Sequence, residues 1–237
     1  MSILVAGGLG FIGSNLCKML ADYDIEHDVV DLKADVDICD FDASGYDVIV
    51  LLAADLGHNR DMYLHNLRIY EWVARQTAHI IYTSSAAVYG DSVGAHLEDE
   101  ATPAPTLYGK SKLLGETIIK ATHANYTIFR LANVFGSGDG NGAIDIFKRG
   151  GNKIFGVGDD VRDYISVRTV CVALRAVAIS PSGYNQQVYN ISSCKPMSTR
   201  QAFYEFGHGQ PEYLDGRDFD VNYSLLDNTK ATKASLL

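Results

Sequence analysis

Apolar positions along this chain come in short runs separated by longer stretches with helical spacing. Residues 3–6, 29–31, 48–53, 80–84 and 126–131 are brief and nearly continuously apolar, as in strands buried on both faces. Residues 14–20 begin a helical pattern, and 62–76 and 107–121 read as two long helices. Pro103, Pro105 and Thr106 mark the start of the last one, with Thr106 as its N-cap. Strand and helix in alternation predict βαβ units, hence an α/β fold around a doubly wound parallel sheet. Few residues separate Asp31 from Val48, so a third strand and its crossover are expected there in unusually short form. The run at 48–53 then becomes the fourth strand. Beyond about Val134 the pattern turns Gly- and Asp-rich and irregular, and no internal repeat is present.

The first turn carries chemistry. Gly7, Gly10 and Gly13 follow directly on Ile3-Leu4-Val5-Ala6, with the first helix behind them. Glycine lets the backbone approach a pyrophosphate, and a helix N-terminus offers free N–H groups and a favourable dipole. A plain Gly-rich turn is the alternative for this motif alone. The second strand ends in Asp31, eighteen residues beyond Gly13, about where a carboxylate meets adenosine ribose hydroxyls. A carboxylate there repels a 2′-phosphate and favours NAD over NADP, while Lys33 nearby pulls the other way. Asp37 and Ile38 fall in the short connection, where Asp37 can reach an adenine amino group and Ile38 its ring. A surface-loop aspartate is the alternative.

Tyr108 and Lys112 lie four residues apart in the helical stretch 107–121, so they share a face. An ammonium beside a phenol is expected to lower its pKa from about 10, as general-base work near neutral pH requires. Ser84 and Ser85 end the strand before it. Taken singly, the pair is an ordinary helical spacing and the serines an ordinary strand end.

Composition narrows the class. The chain has 237 residues and a formal net charge of −9, which argues against a polyanion-binding surface and so against nucleic acid. Cys17, Cys39, Cys171 and Cys194 are scattered, without metal or redox spacing, and the seven histidines show none either. Reduced thiols in a cytoplasmic protein are the expectation. Met1-Ser2 leads straight into an apolar run, which reads as a chain without a signal peptide. The most apolar stretch, 48–54, is far short of a membrane span.

Together, GGLGFIG, VVD, VIVLLAA, YTSSAAVYGD, YGKSK, FRLANVFG and NKIFGVGDDVRDYISV resemble the extended short-chain dehydrogenase/reductases. Among these the chain is similar to the NAD-dependent sugar-nucleotide epimerases and dehydratases, from Ile3 to about Ile191. The resemblance implies a Rossmann-type NAD-binding domain over 1–134, with strands contributed from 160–192. A reduced substrate lobe over 135–237 is interleaved with it. It implies Ser85, Tyr108 and Lys112 as the catalytic set, with Tyr108 as base for a C4 hydroxyl and Lys112 on the nicotinamide ribose. The implied cofactor site comprises Gly7, Gly10, Phe11, Ile12, Gly13, Asp31, Asp37, Ile38, Leu52, Ala53, Ala54, Asn66, Ser84, Tyr108, Lys112 and Leu131. Asn133 and Arg162 join Ser85 as substrate ligands, Arg162 on a diphosphate through its guanidinium fork. The residues themselves also allow a helix-surface Asn66 and an Arg162 paired with Asp160 or Asp163. A homodimer is expected by resemblance, with Tyr70 and Trp72 as candidates for its surface or for ordinary core.

The 4,6-dehydratases of this family place an Asp-Glu pair directly after the catalytic hydroxyl, and the decarboxylases a glutamate. Ala86-Ala87 stand there in this chain, which disfavours both. Ser-Ala-Ala-Val-Tyr-Gly is similar to the 4-epimerases, in which C4 is oxidised and reduced again without net redox change. The short Asp31–Val48 connection also resembles the 4-keto sugar-nucleotide reductases, the alternative enzyme reading. A non-catalytic dinucleotide sensor is a third reading, disfavoured by the presence of both Tyr108 and Lys112.

Overall fold

A computed structural model describes residues 1–57, 59–91, 94–100, 102–216 and 222–237. Its strands are β1 (Ile3–Ala6), β2 (Asp28–Val30), β3 (Val48–Leu51), β4 (His79–Ser85), β5 (Ala95–His96), β6 (Tyr126–Leu131) and β7 (Asn133–Phe135). They continue with β8 (Lys153–Phe155), β9 (Val161–Ser166), β10 (Gln187–Ile191), β11 (Pro196–Ser198), β12 (Glu212–Leu214) and β13 (Tyr223–Leu226). The helices are α1 (Phe11–Asp22), α2 (Arg60–Val73), α3 (Leu107–Thr122), α4 (Ala143–Lys148), α5 (Val167–Ile179), α6 (Thr199–Phe206) and α7 (Thr229–Lys233).

Six strands form one sheet in the order β10-β6-β4-β3-β1-β2, every pair parallel. The period-two geometry of a strand explains why these runs are apolar throughout. Ile3, Val5, Val48 and Val50 face one layer with Leu16 and Leu20 of α1 and Val170, Leu174 and Val177 of α5. Leu4, Ala6, Ile49 and Leu51 face the other, against Ile69, Tyr70, Trp72 and Val73 of α2 and Ile119 of α3. Helices on both faces make the sheet doubly wound, as the alternation predicts. Thr106 caps α3, accepting from Gly109 N at 3.0 Å.

Three expectations change. Residues 32–47 hold no strand; two single 3₁₀ turns, Leu32–Ala34 and Ile38–Asp40, occupy the connection, capped by Asp31 and Asp37. So few residues cannot cover the sheet with a crossover helix, and β3 is the third strand, beside β1. Beyond Val134 the chain is more regular than its Gly and Asp content suggests. α5 buries Val167, Val170, Cys171, Leu174, Val177 and Ala178, a helical spacing whose burial overrides the low helix propensity of its valines. Tyr70 and Trp72 are 1% and 2% exposed, so both belong to the core and neither to a surface.

The remaining strands form a smaller sheet, β11-β9-β13-β5 with β7 beside β9, and a β12-β8 pair. A separate core of Ile144, Phe147, Ile154, Tyr164, Ala202 and Phe203 lies there. Among the described residues no helix is long and apolar enough to cross a membrane.

Candidate active site

The glycine turn runs from the end of β1 into α1. Gly7 has φ +86°, and a Cβ on it would lie 2.6 Å from the Ala53 nitrogen. A Cβ on Gly13 would lie 2.1 Å from the Gly7 carbonyl oxygen, so turn and helix can only meet here through glycine. Gly10 opens α1 with no side-chain cap, leaving the first-turn N–H groups of Phe11, Ile12 and Gly13 for an anion. Beside the turn lies a cleft of about 300 Å³, lined by Gly7, Gly10, Asp31, Ile38, Leu52 and Ala53, with Ala54 beyond. Asp31 accepts from Leu9 N on one oxygen and from Lys33 N on the other, each at 2.9 Å. This fixes the carboxylate at the cleft wall with lone pairs to spare for a diol. Lys33 Nζ donates to the Leu9 carbonyl at 3.0 Å, clasping the turn from the opposite side. Ile38 lines the cleft, whereas Asp37 accepts from Cys39 N and pairs with Arg68 at 3.6 Å. The Cys39 N–H, with help from Arg68, holds the Asp37 carboxyl below its ordinary range.

Ser85 ends β4, Tyr108 lies in the first turn of α3, and Lys112 follows one turn later. The structure brings the three together: Ser85 lies close enough to the Tyr108 hydroxyl to bear on its ionisation, and Lys112 Nζ lies 5.9 Å from the Tyr108 ring centroid. Gly109 lets α3 press on the turn after Ser85, since a Cβ there would lie 2.3 Å from the Ala87 carbonyl oxygen. The expected depression of the phenol does not hold for the protein alone. Burial pushes Tyr108 up to about 12, against the neighbouring Ser85 hydroxyl, which favours phenolate. Lys112 is buried as well, pushed down to about 8, and gives one donor to the Thr83 carbonyl at 3.0 Å. The ammonium is thus turned toward strand β4 and not onto the phenol oxygen.

Ser84, the neighbour of Ser85, points the other way. Its hydroxyl donates to Glu116 at 2.7 Å, and Glu116 takes the guanidinium fork of Arg130 at 2.9 and 2.8 Å. Burial alone would raise the Glu116 carboxyl, yet the Arg130 fork outweighs it and holds the group below its usual value. Asn66 is fully buried: it accepts from Asp55 N at 2.7 Å and donates to the Asp55 carbonyl and to Ser111 Oγ, both at 3.0 Å. It therefore ties the loop behind Ala54 to α3. Leu131 is buried at the end of β6, beside Ser85 in register.

On the smaller sheet, Asn133 donates to the Asp163 carbonyl at 3.2 Å. Arg162 pairs with Asp160 at 3.4 Å, and Thr199 Oγ1 donates to that same carboxylate at 2.6 Å. Asp163 is not its partner. It is buried, with its pKa raised by that burial, and receives Ser193 Oγ and the N–H groups of Ser193 and Cys194.

Sequence reasoning missed several groups. Asp55, His65 and Ile69 also line the cleft. His65 and Ile69 are four apart on α2 and Glu116 is four beyond Lys112, so the spacing that singled out Tyr108 and Lys112 would have found them.

The NAD dependent epimerase/dehydratase family matches residues 3–192. The UDP-glucose 4-epimerase of Mycolicibacterium smegmatis is 28% identical, covering 98% of this chain and 91% of that protein. That alignment runs over 292 positions against 237 residues here, so the relative carries segments this chain lacks. The UDP-glucose 4-epimerase of Thermotoga maritima, solved with UDP-glucose, is 26% identical with a TM-score of 0.80, covering 98% of this chain and 92% of that one. The UDP-glucose 4-epimerase of Thermus thermophilus, solved with NAD, shares the fold at a TM-score of 0.82 and 19% identity, covering 100% and 94%. With its glycine cradle, cleft-wall aspartate and Ser85–Tyr108–Lys112 cluster on one doubly wound sheet, the chain belongs to the NAD dependent epimerase/dehydratase family.

Proposed function

We propose that this protein is a 4-epimerase of a UDP-sugar that keeps its NAD through turnover. The observation that carries the reading is the approach of Ser85, at the end of β4, to Tyr108 in the first turn of α3, with Lys112 Nζ 5.9 Å from the ring of the same tyrosine. The residues fit NAD: Gly7 and Gly13 leave no room for a Cβ where the turn meets the helix, and Asp31 stands fixed for the ribose diol. NAD, when bound, supplies the two-electron chemistry at C4, and its positive ring favours phenolate. Ser85 holds the C4 oxygen, and Tyr108 takes and returns the hydroxyl proton. Lys112 fixes the nicotinamide ribose while its charge offsets the burial that raises Tyr108. Arg162, released from Asp160, holds the diphosphate. Residues 135–237 act as the reduced substrate lobe of this arrangement, and two copies pair as a homodimer in the cytoplasm.

Ala86 and Ala87, following Ser85, offer no acid or base for expelling water, which separates this reading from dehydration. The direct test is NMR of UDP-glucose incubated with purified protein and no added nucleotide. UDP-galactose is the expected product, and Tyr108→Phe lowers the rate about 10³-fold while leaving bound NAD in place. Turnover that requires added reduced cofactor would support the 4-keto reductase instead.

A further inference from the structure

Behind the triad lies a cluster of buried tyrosines that the proposed reaction does not use. Tyr82, in the middle of β4, is fully buried, and Lys112 Nζ lies 5.2 Å from its ring centroid, nearer than to the ring of Tyr108 at 5.9 Å. The Tyr82 hydroxyl donates to the Lys112 carbonyl at 3.3 Å and shares a 2.9 Å hydrogen bond with the Tyr70 hydroxyl from α2. The two rings meet edge to face, 5.8 Å apart. Gly115 makes the approach possible, since a Cβ there would lie 2.6 Å from the Tyr82 oxygen and 2.8 Å from the Tyr70 ring.

Lys112 needs such support. It is 4% exposed, and among the described residues no carboxylate pairs with it: Glu116, one turn along α3, is taken by Arg130 and Lys120. Its compensation comes from one carbonyl, Thr83, and from aromatic faces. A ring quadrupole attracts an ammonium most strongly where water is excluded.

We propose that Tyr82 is a positioning residue for Lys112, its ring face holding the ammonium charged in the dry interior so that two donors stay free for the cofactor ribose. This rests on reading Lys112 as a cofactor ligand. The titratable groups packed around Lys112 are Tyr70 from α2, Tyr82 from β4, and Tyr108 and Glu116 from α3, the last neutralised by Arg130 from β6. Burial places the Lys112 midpoint at about 8, so its charge fades as pH rises through that value.

The test is the NADH affinity of the purified protein, emptied of nucleotide, from pH 6 to about 9.5, read by fluorescence. Three forms are compared: the native chain, Tyr82→Phe, and a pentafluorophenylalanine at position 82, which keeps the ring shape and removes its attraction for a cation. Affinity is expected to weaken through pH of about 8 in the native chain and at the same midpoint in Tyr82→Phe. The fluorinated ring is expected to move that midpoint about one unit toward acid, a loss of about twofold at pH 7 that grows to about tenfold at pH 9. One midpoint for all three forms would overturn the proposal, reducing the ring to packing. An equal shift in Tyr82→Phe would overturn it in favour of the hydroxyl pair with Tyr70. An affinity indifferent both to pH and to Lys112→Met would overturn the reading of Lys112 itself, with the proposal.

Discussion

Two arginines show how differently the two ends of this site are built. Arg130, on the large sheet, is 3% exposed and gives Glu116 both ends of its guanidinium fork while a third nitrogen reaches the Tyr89 hydroxyl at 2.7 Å. Arg162, on the smaller sheet, holds a single long pairing to Asp160 at 3.4 Å and one main-chain bond to the Val161 carbonyl. A buried, saturated charge cannot be moved without large loss, so Arg130 is scaffold. A part-exposed, loosely paired one exchanges partners at little cost, as a ligand-binding group must. On the proposed reading, the cofactor end is preformed and the substrate end is held ready.

Arg130→Met breaks the contrast most severely. It leaves the buried Glu116 with only the part-exposed Lys120 and the Ser84 hydroxyl, and is expected to lower stability by about 3 kcal/mol in urea unfolding. Stability within about 1 kcal/mol of the native chain would show that Arg130 is no more locked than Arg162. Gly13→Ala comes next: with the Gly7 carbonyl 2.1 Å from the new methyl, the turn must shift, costing about 1–3 kcal/mol. NAD released on denaturation is expected to drop to background. Near-stoichiometric NAD in that variant would mean the cradle is not where the phosphates sit.

His79 sharpens the preformed half through pH. It is buried on β4 against Thr127, and burial lowers its pKa to about 4 from 6.5. Between those values the unfolded chain binds the extra proton, so stability falls as pH drops from 6.5 toward 4. The loss is about 2 kcal/mol from this group. His79→Gln is expected to flatten that part of the stability–pH curve, and an unchanged slope would assign the acid loss elsewhere. The smallest effect belongs to the other half. Arg162→Ala is expected to raise KM for UDP-glucose about tenfold with stability changed by less than about 0.5 kcal/mol. A large loss of stability instead would make Arg162 scaffold too.

How much of this was legible follows from distance along the chain. Gly7, Gly10, Gly13 and Asp31 announce themselves because strand, turn, helix and second strand are contiguous, so local spacing fixes their geometry. Tyr108 and Lys112 are legible for the same reason, being one helical turn apart. What spacing could not give is the direction of a side chain within a packed core. Ser84 and Ser85 look alike in sequence, yet strand alternation sends Ser84 to Glu116 and Ser85 to Tyr108. The missing strand at 32–47 was hidden because an expected crossover suggested an element that two 3₁₀ turns replace. Nor could a sequence weigh desolvation against charge at Tyr108, since that balance depends on how much protein surrounds both groups.

In the proposed reaction C4 is oxidised and reduced within one site that keeps its cofactor. It is tested most directly with UDP-glucose deuterated at C4, incubated with the purified protein and an excess of free unlabelled NAD. The expected product is UDP-galactose that retains the deuterium at C4, with none in the free nucleotide pool. Deuterium appearing in free reduced cofactor, or product bearing hydrogen at C4, would contradict it.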